Sequence, residues 1–266
     1  MKWPETLALV RHDRSKYNAL RPLKDASPVY AAFKKAFNRN PESDEAKRLA
    51  VDVRGEFSLA FGDHNTPLAK GEGHQAEAMA KELKHKIPAP DIIFVSPYER
   101  THNTLGRMKS GWPELNDVRI VEEERIREQE HGISLLYSDW RVFHVLHPEQ
   151  RELNNLQGRY WYRYPNGENV PDVRERLRSW LTTLTRDFNE KNVLAVTHHL
   201  AILSLRANLE RLGAEEFLRL DTEEKPINAG VTIYRGQSDQ GSDGRLVLDA
   251  YNIQLYPPDL SSQPVS

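Results

Sequence analysis

Three short apolar runs, "TLALV" at 6–10, "IIFV" at 92–95 and "VLAV" at 193–196, break an otherwise polar chain, and each ends abruptly in polar residues. Uninterrupted apolar runs of this length fit buried strands. Arg11, His12 and Asp13 follow the first, Ser96 and Pro97 the second, Thr197, His198 and His199 the third. After the third run, Ile202, Leu205, Leu209 and Leu212 recur at the spacing of a helical stripe, with Gly213 as the expected stop. The segment after "SPYER" reads as a helix with Arg100 just inside it. "TPLAKGEGHQAEAMAKELKHKI" reads as another, with Ala76, Met79, Ala80 and Leu83 as its buried face. Short strands alternating with helices predict parallel βαβ units, in which polar tips far apart in sequence meet at the carboxyl edge of one sheet. The helix starts at that edge present free N–H groups, which suit an anion.

Other segments read as additions to the sheet. Residues 19–66 hold two expected helices, one starting near Ser27-Pro28 with Tyr30, Phe33 and Phe37 on one side, the other following Asn40-Pro41; together they predict an α-helical cap. Residues 133–172, with "WRVFHVLHPEQ" and "RYWYRYPNGEN", form a second, lid-like insertion. The tail after Tyr256 is expected to fray. No repeat of fixed period is present.

Composition narrows the function. The 266 residues fit one domain, 1–266, carrying these insertions. A net charge of −2 lacks the basic field that nucleic acid or a membrane surface requires, so neither is an expected partner. No apolar stretch reaches secretory or transmembrane length, which points to the cytoplasm. With no cysteine there is no disulfide, thiolate metal site or cysteine nucleophile. His144 and His147, three apart, could face one way on a helix as a metal pair, although surface placement is the plainer reading, and no metal is expected.

Two arginines and two histidines converging on an anion site suit phosphoryl transfer, where charge spread over several oxygens must be held by preorganised donors. The planar forks of Arg11 and Arg100 can each grip phosphate oxygens. His12 is the natural nucleophile, because neutral imidazole attacks phosphorus and its second nitrogen can be held by a hydrogen bond. His198 would donate to the phosphoryl oxygens. A departing alkoxide also needs a carboxyl group to protonate it.

These residues resemble the histidine phosphatase superfamily, also called phosphoglycerate mutase-like. Its opening motif, Arg-His-Gly-x-Ser-x-x-Asn, is similar to "RHDRSKYN", which matches at Arg11, His12, Ser15 and Asn18 but has Asp13 for the glycine. "VSPYERTHNT" resembles the segment of the second phosphate arginine, here Arg100, with Thr101 and Thr104 in pattern. "RIREQEHG" resembles the segment of the general acid, which puts that role on Glu128, four residues before Gly132; Glu130 and Glu168 are next in line. "VTHH" matches the last motif at Thr197 and His198, with His199 for its glycine. "YPNGENVPDV" resembles a stretch found in some members.

The resemblance spans residues 7–205 and implies a three-layer α/β/α fold with a mainly parallel central sheet. It implies a cofactor-independent phosphomonoesterase working through a phosphohistidine on His12, with Asn18 helping Arg11, Arg100 and His198 to bind phosphate. The alternatives are a phosphomutase sharing the same site, a non-catalytic phospholigand-binding protein, suggested by the two lost glycines, and a metal-dependent hydrolase. The expected partner is a small-molecule phosphomonoester or phosphate, and a homodimer is open. Asp13 and His199 are expected to face each other at the pocket rim as a charge pair that modulates activity. The cap cations Lys24, Lys34, Lys35 and Arg39 could meet a second anionic group, although such side chains are commonly just solvated.

Overall fold

The apolar runs become strands of one sheet, and the polar tips gather at its carboxyl edge. The computed structural model describes residues 2–59, 61–240 and 242–261. Strand β1 (Thr6–Arg11) is followed by helices α1 (Lys16–Ala26), α2 (Pro28–Arg39), α3 (Asp44–Phe57) and α4 (His74–Leu83), and then by strand β2 (Ile92–Val95). Next come α5 (Glu99–Gly111), β3 (Arg119–Glu122), α6 (Trp140–Leu146), α7 (Pro148–Gln157) and α8 (Val170–Asp187). The chain closes with β4 (Asn192–Thr197), α9 (His199–Leu209), α10 (Ala214–Glu223), β5 (Val231–Gln237) and β6 (Arg245–Ile253).

The strand order is β3-β2-β4-β1-β5-β6. The first four of these strands pair in parallel and the last two add antiparallel, so the sheet is mainly parallel as expected. Alternate residues serve opposite faces. Ala8, Val10, Leu194 and Val196 pack with α4 and α5, while Leu7, Leu9, Val193 and Ala195 pack with α8 and α9. This is the three-layer α/β/α arrangement.

The cap helices have local causes. Ser27 caps α2 by accepting from Tyr30 N, with Pro28 in the first turn, where the lack of an N–H costs nothing. The next helix begins later than expected, at Asp44, because Ser43 rather than Pro41 supplies the cap, accepting from Ala46 N. Helix α1 carries no apolar stripe to announce it; Ser15 and Asn18 start it with a capping box. Tyr30, Phe33, Val53 and Phe57 of the cap bury against Tyr137, Val142 and Phe143 of the second insertion, in one apolar cluster.

Other expectations are revised. Helix α9 stops at Leu209 and the chain turns with Arg211 at φ 60°, whereas Gly213 is extended and precedes α10. His144 is buried among Trp140, Phe143 and Tyr162 instead of lying on the surface. Of the tail, Pro258–Ser261 forms a short 3-10 turn, and residues 262–266 lie outside the described residues. Among the described residues, no helix is long and apolar enough to cross a membrane.

Candidate active site

Strand pairing assembles the site. Arg11 lies opposite Thr197 in the β1–β4 register, and His12 N donates to Thr197 O at 2.9 Å, so both histidines leave the sheet together. Their rings meet edge to face with centroids 5.1 Å apart. On the other flank of β4, Ser96 follows β2 and its Oγ lies 2.7 Å from His198 Nε2. The His198 ring also packs against Tyr98, 5.0 Å away, and the Arg100 guanidinium sits 4.7 Å above the same tyrosine ring. Arg100, His12 and His198 are all buried. The structure thus brings together the four residues expected at the phosphoryl site.

The hydrogen bonds fix what each group can do. His12 Nδ1 is 2.6 Å from Asp13 O, and since a carbonyl only accepts, Nδ1 carries the proton and Nε2 keeps its lone pair. Burial, then Arg100 and Arg11, hold the His12 imidazole well below the usual histidine range; burial, Arg100 and then His12 do the same to His198. Both rings are therefore neutral at pH 7. Burial also pulls the Arg11 guanidinium down to about 10, against the opposing pull of Glu128, so it remains a cation. Arg11 Nη1 donates to Pro226 O at 2.6 Å, while its Nε and His198 Nδ1 are buried without a partner among the described residues. An anion accepting from both would remove two costly unpaired groups. Arg100 Nη1 is held by Asp63, through the backbone carbonyl at 2.6 Å and the carboxylate at 2.9 Å.

Asn18 is placed beside this group by α1. Its amide oxygen accepts from Ser15 N and from Asn228 Nδ2, and Asn228 in turn reaches His12 O at 3.0 Å. Its Nδ2 has no partner among the described residues and is the group that can meet an oxyanion.

Three carboxylates compete for the acid role, and the structure separates them. Glu128 accepts from Leu200 N at 3.1 Å, in the first turn of α9 beside both histidines of the last motif. Glu168 is locked elsewhere: burial pushes its carboxyl up, but Arg176, the Glu130 amide and Arg127 together hold it below the usual carboxylate range. Glu130 is turned toward Arg127 at 3.0 Å. Arg176 also donates to Arg125 O, Arg127 O and Glu128 O at 2.7, 2.9 and 3.0 Å, so it pins the backbone that carries Glu128. Gly132 completes the anchor with φ +52°, where a Cβ would collide with Pro165 O.

The expected Asp13–His199 pair does not form, because the two side chains lie on opposite faces of the sheet. Asp13 turns to the α4–α5 side, accepting from Ala76 N at 2.8 Å and Arg14 N at 2.6 Å. It thereby caps α4, whose own N-cap, Gly73, has no side chain to offer. Burial raises its pKa while those two N–H groups oppose the rise. His199 opens α9 on the other face, where its Nε2 lies 2.7 Å from Asp221 Oδ1, a close contact without hydrogen-bond alignment. Asp221 in turn pairs with Arg159 of the second insertion.

Sequence reading passed over four residues that the structure puts in the site. Ser96 and Arg176 had a signal, one at the end of an apolar run and the other eight residues after Glu168. Asp63 and Asn228 had none, since each arrives from a loop whose path only tertiary packing sets.

A family model described as histidine phosphatase superfamily (branch 1) matches residues 56–246. A phosphoglycerate mutase-like protein of Arabidopsis thaliana is 29% identical over 179 residues, 60% of this chain and 61% of that protein. The chain thus spans about three fifths of that relative's length. Among solved structures, one titled mycobacterial hydrolase 1 has a TM-score of 0.63 at 20% identity, covering 94% of this chain and 99% of its own. A mycobacterial glucosyl-3-phosphoglycerate phosphatase in complex with VO3 has a TM-score of 0.62 at 21% identity, covering 93% and 99%. At such identities these structures share the fold.

Two outcomes test this geometry. Asp13→Gly and His199→Gly, alone and combined, are expected to change stability additively to within about 0.5 kcal/mol in urea titrations, since the groups do not touch. A larger coupling would restore the pair. Second, His12 and His198 have folded pKa values depressed below the unfolded 6.5, so the unfolded chain takes up protons that the folded chain refuses. Stability is accordingly complete above about pH 6.5 and falls below it, by up to about 1.4 kcal/mol per pH unit for each imidazole. Urea midpoints from pH 7.5 to 4.5 should fall less steeply in His198→Gln than in the parent.

Proposed function

The chain belongs to the histidine phosphatase superfamily (branch 1), and on that premise we propose that it hydrolyses phosphomonoesters through a covalent phosphohistidine on His12. One observation carries the reading: a neutral, buried imidazole with Nδ1 tied to a carbonyl and Nε2 free, set among Arg11, Arg100 and His198. Nε2 attacks phosphorus, the bond to the ester oxygen breaks, and Glu128 gives the leaving oxygen its proton. Water then attacks the phosphohistidine, giving its proton to the Glu128 carboxylate as inorganic phosphate departs. Arg11, Arg100, Asn18 and His198 hold the phosphoryl oxygens, with Arg100 exchanging its Asp63 contact for the substrate. His198 is suited to this, since the Ser96 hydroxyl can donate to Nε2 while Nδ1–H turns to the anion. Neither metal nor organic cofactor takes part in this scheme, and we place the enzyme in the cytoplasm.

The second reading, a phosphomutase, draws on the printed name of the plant relative. It uses the same first step and differs in returning the phosphoryl group to a second hydroxyl. Phosphate release against isomerised product separates the two.

Acid or base quench during turnover of a 32P-labelled substrate should leave label on the protein that is base-stable and acid-labile, and His12→Ala should abolish both label and turnover. Full activity in that variant rejects the mechanism. For Glu128→Gln, kcat/KM, which reads only the steps up to release of the leaving group, should fall on the order of 10²–10⁴-fold with alkyl phosphates and far less with p-nitrophenyl phosphate, whose anion leaves without a proton. Equal losses with both substrates would move the acid role elsewhere.

A further inference from the structure

Asp13 stands where the resembled motif has glycine, and its side chain is wholly buried next to the nucleophile, yet it takes no part in holding phosphate. A buried carboxylate is costly unless its oxygens are bonded. Here Oδ2 accepts from Ala76 N at 2.8 Å, in the first turn of α4, and Oδ1 accepts from Arg14 N at 2.6 Å. The Asp13 backbone is engaged as well. Its N–H donates to Thr104 Oγ1 at 2.9 Å, and that hydroxyl is fixed on α5 by donating to Arg100 O at 2.7 Å. Its carbonyl lies 2.6 Å from His12 Nδ1 and accepts from it.

Two of these bonds share one peptide unit. The Asp13 carbonyl and the Arg14 N–H are opposite ends of the same planar amide. His12 Nδ1–H binds one end and the carboxylate binds the other, so a swing of that plane would break both. The carboxylate cannot follow such a swing, because Ala76 N ties it to α4, whose Ala76, Met79, Ala80 and Leu83 are packed in the core. Position is therefore handed from a rigid helix to the amide, and from the amide to the imidazole.

Charge passes the same way. Hydrogen bonds in series polarise one another in a low-dielectric interior. A carboxylate drawing on the amide N–H leaves more negative charge on the carbonyl oxygen, which strengthens the bond from Nδ1–H and leaves Nε2 richer in electrons. Carboxylates that orient an imidazole commonly touch it directly; here an amide stands between the two. A glycine at this position would supply the carbonyl but not the charge behind it.

We propose that the Asp13 carboxylate is a positioning residue for the nucleophile, fixing and polarising the 13–14 amide so that His12 keeps Nδ1–H on the carbonyl and presents an electron-rich Nε2 to phosphorus. The kinetic consequence rests on the phosphatase reading, whereas the coupling of Asp13 to His12 belongs to the resting protein.

Asp13→Gly and Asp13→Asn test it, with Ser43→Ala as the control, since that change removes a helix cap from α3, outside the site. The substrate is p-nitrophenyl phosphate, whose leaving group needs no proton, so that kcat/KM reads attack by Nε2. Both Asp13 variants should lose about tenfold or more in kcat/KM, while the inhibition constant of inorganic phosphate, which reads Arg11, Arg100, Asn18 and His198, changes by less than about threefold. Ser43→Ala should lose stability and keep its kcat/KM. Asparagine fills the same volume, so a parent rate in Asp13→Asn would assign Asp13 to packing and overturn the proposal. An equal loss of rate in Ser43→Ala, or a loss matched by weaker phosphate binding, would overturn it too. Imidazole 1H–15N spectra of the free proteins decide without turnover. The parent should show His12, assigned by the signal missing in His12→Gln, as the Nδ1–H tautomer with a strongly downfield proton. Asp13→Gly should move that proton upfield and quicken its exchange with water. An unmoved signal, or an Nε2–H tautomer in the parent, overturns the coupling. Failure of the phosphatase reading looks different: the parent releases no p-nitrophenol, while the His12 signal still responds to Asp13→Gly.

Discussion

The parallel pairing of β1 with β4 is the constraint on which the chemistry depends. Because Arg11 stands opposite Thr197, the residues that follow each strand leave the sheet at one level, and the His12 amide is itself tied to Thr197 O. A slip of one residue would turn Ala8 and Val10 toward α8 and α9 and carry His12 away from His198. The apolar layers on both faces forbid that slip, so the packing of Leu7, Leu9, Ala8 and Val10 is also what aligns the two imidazoles. Core and site are one problem in this fold.

Much of this was legible in the residues alone. Three apolar runs marked β1, β2 and β4 because strands buried on both faces need no alternation, and Ile202 and Leu205 announced α9 by helical spacing. The quartet at the carboxyl edge followed from topology. Helix α1 was not legible, since it buries only Ala19 and Lys24 and is set by a capping box. Gly213 misled because a left-handed turn is cheapest for glycine, yet here Arg211 adopts it. The Asp13–His199 pairing failed for a reason that neighbouring strands hide: Asp13 turns back to cap α4 on one side of the sheet, while His199 opens α9 on the other.

The proposed acid shows how a site borrows rigidity. Glu128 sits on a loop with little regular structure, and Arg176 substitutes for a strand by gathering the carbonyls of Arg125, Arg127 and Glu128. Glu168 balances the charge that this requires. Such a knot costs a half-buried ion pair, which adds little net stability, but it holds the proposed acid's carboxylate in place, as proton transfer demands.

Asp63 gives the phosphoryl pocket a different character from an open cradle. Two neighbouring guanidinium groups would repel one another and draw in whatever anion is abundant; with a carboxylate already on Arg100, entry becomes an exchange of one anion for another. The free energy of entry is then a difference, the grip on the newcomer less the grip on Asp63, and a singly charged visitor gains little by the trade. A phosphoryl group, with more charge and more oxygens to share between Arg11 and Arg100, gains from it. On the proposed phosphatase reading the site would behave like an ion exchanger, its resting counter-ion setting the threshold that selects for phosphate over weaker anions.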